Sequence, residues 1–278
     1  MEALLSSAFD LLSSYDPIHI RRGLRNLDGL LAKMCLAPAV EKELLGPNRK
    51  PEDPVFREFI KLQNGFEWNV AIRLISCLER LLGKKNSTYI CGIIIELTVR
   101  LTGTQTNNLI LSSLDLLQGL LLLHPPSRHL FAREIHMNVL LDLLDAGNSG
   151  PVQCATLLTL VTALLDKPQN TRVTFEALEG LPTVTSLFKN RSTSRDVKLK
   201  CLEFLYFYLM PETTILTSKP STPNREGRKR GSSTSSSGSY TGTQHIRTTE
   251  EKQKLLGEWL TNVEDLVADL REGTPFAV

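Results

Sequence analysis

Five cysteines and five histidines are the side chains of this 278-residue chain best suited to nucleophilic or metal chemistry, and their spacing excludes the familiar uses. A thiol-based phosphatase needs an arginine six residues after its cysteine, because the intervening N–H groups and the guanidinium hold phosphate around a low-pKa thiolate. After Cys35, Cys77, Cys91, Cys154 and Cys201 the sixth residues are Glu41, Gly83, Leu97, Leu160 and Phe207. The cysteines also lack the close pairs of a zinc site and the even count of a disulfide framework, so reduced, buried thiols are expected. His19, His124, His129, His136 and His245 converge with no cysteine or carboxylate at a recognisable spacing, and surface or cap positions are expected for them. No glycine-rich phosphate loop, GxSxG elbow, HExxH pair or kinase signature occurs. The sequence therefore predicts no catalytic residue, no metal ligand and no cofactor.

The chemistry that remains is phosphate acceptance. Thr222-Pro223-Asn224-Arg225 is a proline-directed site with a basic residue at the +3 position, and Arg228-Lys229-Arg230-Gly231-Ser232-Ser233 has a basophilic-kinase pattern. Thr222, Ser232 and Ser233 are thus candidate phosphorylation sites, although short patterns of this kind also arise by chance in serine-rich stretches. A phosphate would add nearly two negative charges to a segment that is otherwise basic. Residues 211–248 hold three prolines, four glycines and a dense serine and threonine run, with almost nothing to bury, which predicts a disordered linker.

The elements around that linker are helical and repeat. Leu122, Pro125, Arg128 and Phe131 return as Leu165, Pro168, Arg172 and Phe175, 43 or 44 residues on. Leu157, Leu160, Val161 and Leu164 recur in the same way as Cys201, Phe204, Leu205 and Tyr208. A helical period of roughly 40–47 residues is the armadillo/HEAT signature, and such units bury their apolar faces only by stacking into a solenoid with a long binding surface. The predicted fold is all-α: an armadillo/HEAT-like helical-repeat solenoid over 1–210, the linker over 211–248, and a C-terminal helix and tail over 249–278. Composition fits, with 41% hydrophobic and 22% charged residues and a net charge of +2. That near-balance is no nucleic-acid signature. A basic leader and an uncharged apolar run of about 18 residues are both missing, which predicts an intracellular protein without a membrane span.

In chain order, a helix from Glu2 to Ser14 is followed by Asp16-Pro17, an N-cap with proline at the first helical position, and a second helix to about Leu36. Its apolar positions Ile20, Leu24, Leu27, Leu31 and Met34 have helical spacing, while Arg21, Arg22 and Arg25 lie on or beside the opposite face. These arginines form either a solvated face or a patch for an acidic partner. Asp53-Pro54 starts another repeat. Between Ser87 and Leu101 the sequence is apolar nearly all round, which predicts a helix at the centre of the stack, followed by one from Gln105 to Leu123. Near the end, Thr248 and Glu251 form a capping-box pair. Leu255, Leu256, Trp259, Leu260, Val263, Leu266, Val267 and Leu270 then form one stripe at helical spacing, expected to cover the many-sided apolar helix from Arg195 to Met210.

Three blocks carry a resemblance. Pro17-Ile18-His19-Ile20-Arg21-Arg22-Gly23-Leu24-Arg25, then Phe66-Glu67-Trp68-Asn69-Val70-Ala71-Ile72-Arg73-Leu74-Ile75, and the repeats to Met210 are similar to the fungal cell division control protein fourteen family of the septation initiation network. That family shares a name with an unrelated dual-specificity phosphatase. The resemblance implies a non-catalytic partner of a germinal-centre-type serine/threonine kinase at the spindle pole body, promoting septum formation and cytokinesis. Arg21, Arg22, Arg25, Glu67, Trp68, Asn69 and Arg73 are the candidate partner contacts it implies, with burial of Trp68 between repeats as the competing role. The alternative is a helical-repeat transport or nucleic-acid adaptor without a kinase partner. A basic concave surface with strongly salt-dependent binding would mark that alternative.

Overall fold

A computed structural model describes the backbone of residues 1–45, 54–88, 96–165, 168–210, 247–265 and 267–268. Among them the regular structure is helical and no strand occurs: α1 (Glu2–Leu12), α2 (Pro17–Leu45), α3 (Pro54–Gln63), α4 (Val70–Thr88), α5 (Glu96–Leu123), a 3₁₀ segment (Pro125–Ala132), α6 (Glu134–Leu143), α7 (Gly150–Leu164), α8 (Pro168–Ala177), α9 (Gly180–Lys189), α10 (Arg195–Leu209) and α11 (Thr249–Gly257). The linker, with Thr222, Ser232 and Ser233, lies outside the described residues apart from its last two positions.

The two copies of the sequence repeat occupy like elements. The 3₁₀ segment, α6 and α7 correspond to α8, α9 and α10, with Pro125 and Pro168 opening each unit. Phe131 and Phe175, the matched aromatics, are both fully buried. Like elements pack on like: the 3₁₀ segment against α8, and α7 against α10. Extended backwards, α2, α5, α7 and α10 lie side by side in that order, so one row of long helices forms a spine of the protein.

The long helices bury polar residues by local bonding. Thr156, Thr159 and Thr162 of α7 are buried, and each hydroxyl donates to the carbonyl four residues back, at 2.7, 2.9 and 2.9 Å. This satisfies the hydroxyls within the helix and lets α7 be covered on several sides. From Thr104 to Leu123, α5 is long and apolar enough to cross a membrane by length and composition. It carries Asp115, however, and packs against α2, α4 and α7, which bury Leu109, Ile110, Leu114, Leu117, Leu120 and Leu121. It is a core helix of the stack.

Two expected boundaries change. The N-cap at Asp16 is present, its Oδ1 accepting from the Ile18 N–H at 2.9 Å. The helix it starts runs past Leu36 and through Pro38 to Leu45, in a stretch whose alanines, leucines, glutamates and lysine are strong helix formers. Of the separate central helix expected from Ser87 to Leu101, Ser87 and Thr88 are the last residues of α4 and Glu96 to Leu101 belong to α5, while residues 89–95 lie outside the described residues.

The C-terminal segment folds back onto the last repeat. Thr248 and Glu251 make the capping box, with bonds of 3.3 and 3.2 Å. Leu256, Leu260, Val263 and Val267 are buried. The expected single helix breaks, however, because α11 ends at Gly257, a poor helix former, and a turn follows before helix resumes at 263–265. The break frees the Trp259 carbonyl to accept from Lys189 Nζ of α9 and leaves the Trp259 ring 44% exposed. Leu266 and Leu270 lie outside the described residues. Polar contacts fasten the segment: Arg247 pairs with Glu176 of α8 at 3.0 Å, and Lys252 Nζ donates to the Met210 carbonyl at 2.9 Å beneath the Tyr208 ring.

Candidate partner-binding groove

The histidines and cysteines are the side chains best suited to chemistry. His124 is buried at the N-cap position of the 3₁₀ segment, a cap placement of the kind expected. Its Nδ1 bonds Ser127 Oγ at 2.8 Å and its Nε2 meets Asn64 Oδ1 at 3.2 Å, so a serine, a histidine and a third orienting group do line up. Ser127 is only 2% exposed and also receives the Asn69 amide at 3.4 Å. A nucleophile needs a substrate within reach, and this hydroxyl has no such access. The cluster instead joins the α3–α4 corner to the 3₁₀ segment. Cys77 and Cys201 are buried as expected, and burial pushes the Cys201 thiol up to about 12, so it is inert. Cys35 departs from the expectation by being exposed, while Cys91 lies outside the described residues.

The burial of His124 has a measurable consequence. Desolvation lowers its pKa from the ordinary value near 6.5, so the unfolded chain binds a proton that the folded chain resists. Stability from this group is complete above that ordinary value and is lost as pH falls below it toward the folded pKa. The slope is at most about 1.4 kcal/mol per pH unit. Thermal unfolding from pH 7.5 to 5 is expected to show a falling midpoint, with a shallower fall in the His124→Gln variant; equal slopes would contradict it.

The block Glu67, Trp68, Asn69 and Arg73 is brought together at the start of α4. Asn69 is buried and caps that helix, its Oδ1 accepting from the Ile72 N–H at 3.1 Å while its amide donates to the Gln63 carbonyl at 2.7 Å. Gln63 completes the corner by donating to the Trp68 carbonyl at 3.0 Å and accepting from the Val70 N–H at 2.9 Å. The half-buried Trp68 ring stacks on Phe9 of α1 at 6.3 Å. The Arg73 guanidinium lies 5.2 Å from the Phe9 ring centre and donates to the Glu67 carbonyl at 3.3 Å. Trp68 and Arg73 therefore hold α1 to the α3–α4 corner that Asn69 caps, whatever else they contact. Glu67 is exposed, next to Phe66 at 73% exposure.

Arg21, Arg22 and Arg25 are all exposed, and two of them border a different feature. Between α2 and α5 runs an open groove of about 660 Å³, with Arg21, Arg25, Asp28 and Cys35 on one wall and Asn108, Ser112, Asp115 and Leu122 on the other. Leu24, Leu31, Leu109 and Leu116 supply its apolar floor. The lining residues recur every three or four positions along each helix, from Arg21 to Cys35 and from Asn108 to Leu123, so both walls are continuous seams. At 1.5 Å per residue each wall is about 20 Å long. Leu122 is 53% exposed within it, and partial burial raises the Asp115 carboxyl above the usual carboxylate range. Sequence reasoning found the arginines but not the groove, whose α5 wall reads as ordinary core periodicity.

Comparison with known proteins places the whole chain. A family model described as cell division control protein 14, SIN component, matches residues 1–276. The curated protein named Cell division control protein 14 of Schizosaccharomyces pombe is 29% identical over 287 residues, covering 99% of this chain and 97% of that one. No solved structure matches.

Proposed function

Because the chain belongs to the cell division control protein 14 family of septation initiation network components, we propose that it is a non-catalytic partner of a germinal-centre-type serine/threonine kinase, acting at the spindle pole body to promote septum formation and cytokinesis. The observation that carries this reading is the end-to-end family match, which covers the repeats, the α2 block and the C-terminal segment alike. The structure supports an interaction role in two ways. Its row of stacked helices offers a long continuous surface, and the α2–α5 groove leaves apolar side chains open to a partner. Affinity purification of the full chain from synchronised dividing cells is the test. A co-purifying germinal-centre-type kinase is the expected result, and its absence from a purification that retains other septation components would overturn the reading.

Regulation is proposed to enter through the linker. Thr222 is followed by Pro223 and, three positions on, by Arg225, the pattern that a cyclin-dependent kinase reads. Phosphopeptide mapping of mitotic cells is expected to find Thr222 modified. Good coverage of the segment with Thr222 unmodified would end this proposal.

A further inference from the structure

We propose that the groove between α2 and α5 receives one amphipathic helix of the partner kinase, its apolar face on the leucine floor and a carboxylate seated between Arg21 and Arg25. The inference rests on the kinase-partner reading and names the surface and the chemistry through which that partner is held.

The shape selects a helix. A groove about 20 Å long between two helices admits a third at the usual interaxial spacing of about 8–10 Å, and about four turns of helix span it. An extended segment would lay its backbone N–H and C=O groups against leucines, with no strand edge to pair them, whereas a helix satisfies those groups internally. The floor selects an apolar face: Leu24, Leu31, Leu109 and Leu116 line it, and Leu122 stands half open beside them. Gly119 lies in the same wall, and a Cβ added there would meet nothing within 4 Å. A mid-helix glycine that no neighbour requires weakens α5, and at this position it keeps the groove deep enough for an incoming side chain.

The charges select the register. Arg21 and Arg25 stand one turn apart on the same lip, both exposed and neither in an ion pair with a described residue. A carboxylate between them is bound by two charge-assisted hydrogen bonds, which fixes both the direction of the helix and its acidic position.

The test uses the full chain and the purified kinase identified from dividing cells. A Cβ at Gly119 meets nothing within 4 Å, so Gly119→Leu projects into the groove and its unfolding midpoint is expected to equal or exceed that of the wild type. Its affinity for the kinase is expected to fall by about 100-fold. The double variant Arg21→Glu with Arg25→Glu is expected to lose about tenfold or more, while Arg195→Glu, an exposed charge on α10, changes nothing. The exposed thiol of Cys35 in the groove reports occupancy independently: its alkylation by iodoacetamide is expected to slow when the kinase is bound. If the wild-type chain does not bind the kinase, the partner reading falls and this inference with it. If it binds and Gly119→Leu binds equally, with Cys35 as reactive as before, the inference alone is overturned. Protection of Cys35 that appears without kinase and vanishes on dilution would assign the groove to a second copy of the chain, which also overturns it.

Discussion

Replacing Gly180 by alanine is expected to lower stability by about 3 kcal/mol or more, the upper end of what overpacking a core costs. The cause is the tight corner between α8 and α9. A Cβ at Gly180 would stand 2.1 Å from a ring carbon of Phe175, well inside contact distance. The ring has nowhere to go: Phe175 is fully buried and tilts against Phe204 of α10 at 5.5 Å. The corner is already strained, because Glu179 adopts φ 57°, the left-handed region that residues with a Cβ enter at a cost. For a chain of this size the loss corresponds to a drop in unfolding midpoint of roughly 6–12 °C, read by calorimetry. A midpoint within a degree of the wild type would show that the corner is not packed as described.

Truncation after Glu212 is expected to produce the second large effect, a midpoint lower by roughly 5–10 °C together with aggregation. The C-terminal segment buries Leu256, Leu260, Val263 and Val267 and covers the outer side of α10. Its removal also deprives Glu176 of Arg247, within a cluster where Tyr208 donates to Glu176 at 2.7 Å and Arg172 pairs with it at 3.3 Å. Burial and the bond to Glu176 both push the Tyr208 hydroxyl up, so the tyrosine stays protonated and keeps donating. A terminal repeat stripped of its cover exposes an apolar face, which drives self-association. An unchanged midpoint with lost kinase binding would instead make the segment a partner-docking element.

The sequence reveals those parts of the fold whose causes are local. Pro125 and Pro168, with Phe131 and Phe175 behind them, mark the two units because proline starts a helix and a buried aromatic must recur where the same packing recurs. The Thr248–Glu251 cap is equally readable, since both partners lie within one turn. The break after Gly257 is less so: the apolar stripe continues in the right period past that poor helix former, and the Lys189 side chain that takes up the freed Trp259 carbonyl lies 70 residues away in sequence. Long-range contacts account for the rest. Nothing adjacent in sequence announces that Trp68 and Arg73 flank Phe9, or that His124 is sealed between Asn64 and Ser127. The groove is the extreme case, because Leu31 and Leu122 belong to helices some ninety residues apart and each reads alone as core.

Hydrogen–deuterium exchange on the full chain, alone and with the co-purified kinase, tests the central claim most directly, because it reports binding and its location together. Slowed exchange confined to residues 21–35 of α2 and 108–123 of α5, with the α8–α9 corner unchanged, is the predicted result. An unaltered profile at saturating kinase, or protection confined to other helices while these two exchange as in the free chain, would contradict the account.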